Sequence, residues 1–199
     1  MRRDSPLSLW WQPIRALSAL ILLLSLLTPD PVNAAPLSRQ QRWMEDIKEI
    51  LPREELVTLK TGDVEFIGLH RAKERGQETG SLIMIHDYGA YPDGPSAFHY
   101  LRTRLPSLGW STLSFELPVL PETVLNGVTT ELMEEVVPRI NAARDYILAQ
   151  NVKNIVLLGH GVGATIATYY FVHHFDRDFR GLIMMGMDGT QPDDSFFDA

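Results

Sequence analysis

Short apolar segments alternate with amphipathic stretches along the chain from residue 81 onward. Continuous apolar runs, which are typical of strands buried on both faces, lie at 81–85, 110–117, 154–158 and 181–185. Apolar residues spaced three and four apart predict intervening helices at 95–105, 129–149 and 162–175. Because strands and helices alternate, we expect right-handed crossovers and a three-layer α/β/α fold around a mostly parallel sheet.

A different pattern precedes this series. Residues 56–59 and 64–69 have the composition of two strands joined by a polar turn. An amphipathic stretch at 39–56 predicts a helix that leads into the domain. We therefore expect a lead-in helical segment at 35–55, followed by one domain at 56–199.

Pro138 interrupts the apolar stripe of the segment 129–149. A proline inside a helix removes one backbone hydrogen bond and crowds the preceding turn. Either the helix kinks at Pro138, or the proline lies in the first turn of a second helical piece.

The N-terminal segment has the three-part layout of a secretory signal peptide. Basic residues come first, an uninterrupted apolar run follows at 16–27, and Pro29 and Pro31 end it. Short residues then precede a cleavage position between Ala34 and Ala35. We expect residues 1–34 to be removed and the protein to be periplasmic or secreted, with membrane contact only during export. The alternative is an N-terminal membrane anchor, for which a run of 12 residues is short.

Composition narrows the possible chemistry. The chain has no cysteine, which excludes disulfides, thiolate catalysis and cysteine-based zinc sites. Its formal net charge is −7 and it contains no basic stripe, so nucleic acid is not an expected partner.

A glycine-rich turn joins the predicted strand at 154–158 to the helix that follows it. Its sequence is Gly159-His160-Gly161-Val162-Gly163. The strand, turn and helix resemble the nucleophile elbow of α/β-hydrolases, whose esterases and lipases often read Gly-His-Ser-x-Gly here. Gly161 replaces that serine, so no acyl-enzyme can form at this position. The resemblance implies that His160 packs beside the turn instead of replacing the nucleophile.

Dinucleotide binding is the competing interpretation of this turn. It lacks both the G-x-G-x-x-G spacing and a P-loop lysine, although Ala164 matches the third position of a looser variant. Asp188, at the end of the next strand, could then be a ribose ligand. We expect no cofactor.

A second loop, His86-Asp87-Tyr88-Gly89, follows the predicted strand at 81–85. In α/β-hydrolases the loop at this place contributes a backbone N–H to the oxyanion hole. Asp87 stands at the usual glycine position, where its charge would oppose an oxyanion. The alternative is an ordinary loop with a capping aspartate.

The remaining members of a hydrolase triad are not evident. Asp188 is a weak candidate for the acid, and no histidine follows His174. Ser96, Ser114 and Ser195 are unconvincing substitute nucleophiles, and Thr165 should point away from the turn. The sheet is about two strands shorter than this superfamily implies, so we expect a truncated gene product.

Histidines and carboxylates also cluster at the end of the predicted helix at 162–175. The cluster consists of His173, His174, Asp176 and Asp178, with Arg177 among them. Adjacent residues on a helix point in different directions, so we interpret the cluster as a solvated helix end and expect no metal site.

Taken together, the loop at 86–95, the strand at 109–114, Leu117-Pro118 and the turn at 159–164 resemble one bacterial family of exported proteins. It is the domain-of-unknown-function family numbered 3530, and the resemblance spans residues 40–190. It implies an α/β-hydrolase-like fold and no particular activity. Three hypotheses remain: a non-catalytic domain that binds a small molecule or protein in its cleft, a cell-envelope ester hydrolase with an unidentified nucleophile, and a fragment without function.

Overall fold

The computed structural model describes residues 55–87, 90–94, 97–118, 129–174 and 176–187, together with four positions between 42 and 49 that are helical. Residues 38–199 form one compact unit of the chain, distinct from residues 1–37, and every described residue belongs to it. The predicted signal peptide and most of the predicted lead-in helix lie outside the described residues. Within the described ranges, no helix combines the length and the apolar character needed to cross a bilayer.

The described residues form one sheet of six strands. The strands are β1 (Leu56–Thr61), β2 (Val64–Arg71), β3 (Gly80–Ile85), β4 (Trp110–Phe115), β5 (Ile155–His160) and β6 (Phe179–Met185). Their order across the sheet is β1-β2-β4-β3-β5-β6. The pairs β1-β2 and β2-β4 are antiparallel, whereas β4, β3, β5 and β6 are mutually parallel. The predicted mostly parallel sheet is therefore confirmed.

Three helices connect the parallel strands within the described part of the chain. They are α1 (Ala97–Arg104), α2 (Thr130–Ala149) and α3 (Val162–His173), and a 3-10 turn at Leu105–Leu108 follows α1. Side chains of α2 and α3 share the larger apolar core with one face of the sheet. Helix α1 packs on the other face, through a smaller cluster that includes Phe98. The layers are those of the predicted α/β/α architecture.

Several predicted boundaries were wrong by a few residues. Strand β4 ends at Phe115, two residues before the predicted 117, and β6 begins at Phe179 instead of 181. Helix α1 ends at Arg104 and α3 ends at His173, one and two residues before the predicted ends at 105 and 175. Strand β5 continues to His160, because His160 pairs in register with Met185 of β6. The first two residues of the predicted glycine turn therefore belong to the strand.

Pro138 lies inside one continuous helix, so of the two alternatives the second helical piece is wrong. The hydrogen bond that Pro138 cannot make would have gone to the carbonyl of Glu134. Glu134 is exposed, so water can satisfy this carbonyl. At the start of α2, the Thr129 side chain accepts a hydrogen bond from the N–H of Leu132 at 3.3 Å.

A buried arginine ties α1 to the sheet. The Arg102 side chain is 1% exposed and lies 2.5 Å from a Glu55 carboxylate oxygen and 2.6 Å from Asp93 Oδ1. The Thr112 hydroxyl of β4 donates to the backbone carbonyl of Arg102. These contacts hold α1 beside β4 and hold the loop that carries Asp93, which lies close to the carboxyl ends of the parallel strands.

Candidate functional site

The turn between β5 and α3 is sharp and passes through a glycine at positive φ. Gly161 precedes the first residue of α3 and adopts φ 58° and ψ −123°, a region that residues with side chains rarely enter. Its N–H donates to the carbonyl of Met185 at 2.9 Å, and its own carbonyl accepts from the N–H of Ala164. The turn is thus held on both sides by backbone hydrogen bonds.

The glycines on either side of Gly161 allow close backbone packing. A Cβ at Gly159 would overlap the carbonyl group of Gly163. A Cβ at Gly163 would overlap the backbone carbonyls of Ile85 and His86 at the end of β3. Strands β3 and β5 and helix α3 therefore meet here at distances that only glycine permits, and this brings the loop after β3 onto the turn.

Asp87 is the residue that this approach places at the turn. Its Oδ1 accepts a hydrogen bond from the N–H of Val162 at 2.8 Å. A Cβ built on Gly161 would overlap the carboxyl carbon and both carboxylate oxygens of Asp87. The Asp87 carboxylate therefore occupies the space where any side chain at position 161 would begin.

The backbone N–H of Val162 is the hydrogen-bond donor that holds the Asp87 carboxylate at the turn. In α/β-hydrolases the residue after the nucleophile supplies an oxyanion-hole N–H. Here that N–H is the first of α3, where the helix dipole favours a negative charge, and the Asp87 carboxylate binds it. The capping interaction that the sequence offers as an alternative is present, but it is made across 75 positions of the chain.

His86 precedes Asp87 and is almost fully buried. Its Nδ1 lies 2.8 Å from the backbone carbonyl of Asp87, so Nδ1 carries the proton and donates it. Burial lowers the pKa of His86 to about 4, so the imidazole is neutral at physiological pH. Nε2 then holds a lone pair and has no hydrogen-bond partner among the described residues.

A small cavity of about 150 Å³ adjoins these residues. It is lined by His86, Asp87, Ala90, Tyr91, Gly94, Phe98 and His160. His160, at the end of β5, is half-buried and faces this cavity, with its Nε2 beside Gly186. The structure thus brings together the two loops that the sequence singles out.

Other predicted candidates lie elsewhere. The Ser114 hydroxyl is buried and donates to the carbonyl of Pro92 at 2.6 Å, so Ser114 is wrong as a nucleophile candidate. Thr165 is buried within α3. Five predicted positions fall outside the described residues: Tyr88, Gly89, Ser96, Asp188 and Ser195.

The histidine and carboxylate cluster at the end of α3 is engaged in other contacts. His173 packs its ring on that of Tyr169, and Asp176 pairs with Arg144 of α2. The Asp176 carboxylate also accepts from the N–H of Asp178. In the part of the chain that the structure describes, no three His, Asp or Glu side chains are placed to hold a metal ion.

Two contributors to the site escape the sequence analysis. Tyr91 lies in the loop that was singled out but carries no motif, and Phe98 reads as an ordinary core residue of α1. The complementarity of Asp87 and Gly161 is also missed, because each residue is considered as a separate departure from the hydrolase pattern. The signal that could have revealed this complementarity is the presence of both departures, Gly161 and Asp87, in one sequence.

Comparison with known families identifies the family of this chain. The family model described as "Protein of unknown function (DUF3530)" matches residues 23–130 and 121–195. The chain belongs to this family. No curated protein matches the sequence significantly.

Solved structures share the fold of this DUF3530 chain. The α/β-hydrolase GrgF from Penicillium sp. sh18 superposes with a TM-score of 0.52 at 17% identity, over 67% of this chain and 45% of GrgF. A thermostable carboxyl esterase from Bacillus coagulans gives a TM-score of 0.51 at 14% identity, over 65% and 43%. A soluble variant of monoglyceride lipase from Saccharomyces cerevisiae gives 0.50 at 18% identity, over 65% and 44%.

These similarities show an α/β-hydrolase-like fold. The match covers less than half of the length of each of these three structures. At such low identity the likeness concerns the fold and carries no activity from one protein to another.

Proposed function

We propose that this DUF3530 chain is an exported α/β-hydrolase-like domain that binds a ligand in the former catalytic cleft and does not catalyse serine hydrolysis. The observation that carries the proposal is the placement of the Asp87 carboxylate over Gly161, on the N–H of Val162. The alternative that the test must exclude is a cell-envelope hydrolase whose nucleophile is not at the elbow.

The arrangement of Gly161 and Asp87 opposes ester hydrolysis in two ways. Gly161 has no side chain that could attack a carbonyl. A tetrahedral oxyanion would need the N–H of Val162, which the Asp87 carboxylate occupies, and it would develop its negative charge beside an existing one. The first change removes the nucleophile of the elbow, and the second removes one oxyanion donor.

The cleft nevertheless keeps the features of a ligand-binding site. The glycines at 159 and 163, the buried ring of His86 and the cavity of about 150 Å³ all remain at the carboxyl ends of the parallel strands. Ligands of open α/β sheets bind at this end of the strands. Retention of the cavity without the nucleophile supports binding as the function.

The catalytic part of the proposal is tested with the purified full chain. We expect neither turnover of nitrophenyl esters from acetate to dodecanoate nor labelling by a fluorophosphonate probe, while an active esterase assayed in parallel does both. Saturable turnover that one cleft substitution abolishes, or labelling of any serine, would establish the hydrolase alternative and overturn the proposal.

Export is tested separately. Residues 1–34 fused to a reporter that is active only outside the cytoplasm should give activity, and N-terminal sequencing of the exported chain should begin at Ala35. A reporter that stays inactive, or an exported protein that retains residues 1–34 in the membrane fraction, contradicts the proposed signal peptide.

A further inference from the structure

The imidazole of His86 is buried in a place that accommodates only its neutral form. The residue is 3% exposed, and its Nε2 is shielded from solvent without a hydrogen-bond partner among the described residues. The other ring nitrogen, Nδ1, already holds the proton that it donates to the carbonyl of Asp87. A second proton would put a charged donor on Nε2 with no acceptor in reach. A buried charged donor without an acceptor is strongly unfavourable, so a protonated ring has to leave this place.

Few groups of the described chain face His86 and could offset that cost. The negative charge of Asp87, on the same loop, favours the second proton, but the burial of the ring opposes it more strongly. His160 of β5 and Tyr91 of the loop line the adjoining cavity, and no lysine or arginine is among its described lining residues. Helix α1 contributes Phe98 to this cavity, and α3 approaches the loop through glycine backbone.

Asp87 joins the histidine ring to the N-terminus of α3. Its backbone carbonyl accepts from Nδ1 of His86 at 2.8 Å and from the N–H of Ala90 at 3.1 Å. Its carboxylate accepts from the N–H of Val162 at 2.8 Å. Departure of the ring therefore removes one of the two hydrogen bonds to this carbonyl and displaces the residue whose carboxylate binds α3.

The fixed points on either side of His86 and Asp87 limit how far such a movement extends. Strand β3 ends at Ile85, which is paired with β5 in the sheet. Beyond the two residues, the carbonyl of Pro92 accepts from the buried Ser114 hydroxyl at 2.6 Å. A rearrangement of His86 and Asp87 can therefore take place between these anchors while the sheet and the helices stay folded.

We propose that His86 and Asp87 form an acid-sensitive switch, in which a second proton on His86 expels its ring and withdraws the Asp87 carboxylate from the N–H of Val162. Acid thereby frees an N–H donor in the cleft that is occupied at neutral pH. The switch goes beyond the proposed binding function and holds independently of it.

The size of the effect follows from the two environments of the ring. In water a histidine has a pKa of about 6.5, whereas burial lowers the pKa of His86 to about 4. The open form binds the proton more readily, so its share rises as the pH falls. Linkage between these two values gives an increase of about 20-fold in the open form from pH 7 to pH 5.

Amide hydrogen exchange of the purified full chain, measured by NMR, tests the switch. The protection of the Val162 amide, corrected for the intrinsic exchange rate at each pH, should fall about 20-fold from pH 7 to pH 5. Urea below the unfolding transition should leave this protection unchanged while it lowers that of Ile83 in the buried strand β3. Equal protection of Val162 at the two pH values would overturn the proposal. The same urea dependence for both amides would show that only global unfolding releases Val162, and it would refute the switch as well.

Three variants identify the group that titrates. His86→Gln should reduce the change in Val162 protection to less than about twofold, because glutamine takes up no proton. His160→Gln, at the other histidine of the cavity, should keep the full change. Asp87→Asn retains an oxygen that can accept from the N–H of Val162 but cannot titrate, so it should also keep the full change. An undiminished change in His86→Gln, or its loss in either of the other two variants, would assign the effect to another group.

The state of the ring can also be read without any substitution. In the chain labelled with 15N-histidine, the His86 ring should carry its proton on Nδ1 at pH 7 and should stay neutral down to about pH 5. A proton on Nε2 at pH 7, or a titration midpoint near 6.5, would overturn the proposal. These outcomes leave the proposed function untouched, whereas ester turnover would remove the proposed function and leave the switch.

Discussion

The Asp87 carboxylate lies in the space that a side chain at Gly161 would fill. The two residues are 74 positions apart, and the backbone contact of Gly163 with the end of β3 brings them together. The carboxylate is held there by the N–H of Val162 at 2.8 Å. Gly161 and Asp87 therefore form one arrangement, in which the glycine leaves free the space that the carboxylate fills.

The first prediction concerns this pair. Gly161→Ser should lower the free energy of unfolding by about 3 kcal/mol or more, because the new side chain overlaps Asp87 and strains the backbone. Asp87→Ala removes the atoms that overlap and should cost about 1–2 kcal/mol through the lost hydrogen bond. The double variant should be about 1–3 kcal/mol more stable than the sum of the single effects. Urea unfolding of the four proteins measures this coupling.

A control for backbone strain is available on the β1-β2 turn. Gly62 has φ 56°, close to the 58° of Gly161, and a Cβ there meets nothing within 4 Å. Gly62→Ser should therefore show the cost of positive φ without the overlap. Neither Gly161→Ser nor the double variant should hydrolyse nitrophenyl esters. Strict additivity of the two substitutions would show that Asp87 and residue 161 do not compete for space.

The second prediction concerns the glycines that bring the loops together. Gly163→Ala should lower the free energy of unfolding by more than about 3 kcal/mol, because its Cβ meets two backbone carbonyls that cannot turn aside. Gly181→Ala on β6 is the matched control, since its nearest neighbour would be a Val156 methyl group at 4.0 Å. The control should be neutral or slightly stabilising. Equal denaturation midpoints for the two variants would contradict the close packing at Gly163.

The sequence predicts the layers of this fold better than its site. Apolar runs in the sequence locate the buried strands, because a strand that is buried on both faces needs apolar or small residues at neighbouring positions. Strand β3 is the clearest case, since it is buried along its whole length. The end of β5 cannot be predicted locally, because Gly159 is a strand residue through its pairing with β3 and β6, and His160 through its pairing with β6. The antiparallel pairing of β2 with β4 likewise depends on partners that no periodicity specifies.

In the candidate site too, the sequence predicts features that depend on neighbouring residues and misses those that depend on distant partners. The glycine pattern at 159–163 predicts a sharp strand-to-helix turn, since only glycine tolerates the backbone overlap found there. The sequence also indicates that Asp87 is unfavourable for an oxyanion, but not that it binds Val162, because that hydrogen bond depends on tertiary packing. The cavity wall at Phe98 is indistinguishable in sequence from the core residues beside it.

The third prediction concerns the buried Arg102. Its guanidinium lies between the carboxylates of Glu55 and Asp93 and is 1% exposed. Arg102→Met should lower the free energy of unfolding by about 2–3 kcal/mol, because it removes the nearest cation of two partly buried carboxylates and leaves, among the described residues, only Arg71 at 3.6 Å from Glu55 and His99 at 2.9 Å from Asp93. Arg104→Met, on the exposed side of the same helix, should change it by less than about 0.5 kcal/mol. Similar thermal midpoints for the two variants would show that the ion pairs of Arg102 contribute little.

The last prediction concerns the dependence of stability on pH. Burial lowers the pKa of His86 from 6.5 to about 4 in the folded protein, so the unfolded chain binds a proton at this residue more readily than the folded chain does. Stability is therefore complete above about pH 6.5 and declines as the pH falls toward 4, by up to about 3 kcal/mol from this residue. His86→Gln should remove that part of the decline, whereas His174→Gln at the exposed end of α3 should keep it. Urea midpoints at pH 7 and pH 4.5 measure the difference, and parallel declines in wild type and His86→Gln would mean that His86 is not buried in its neutral form.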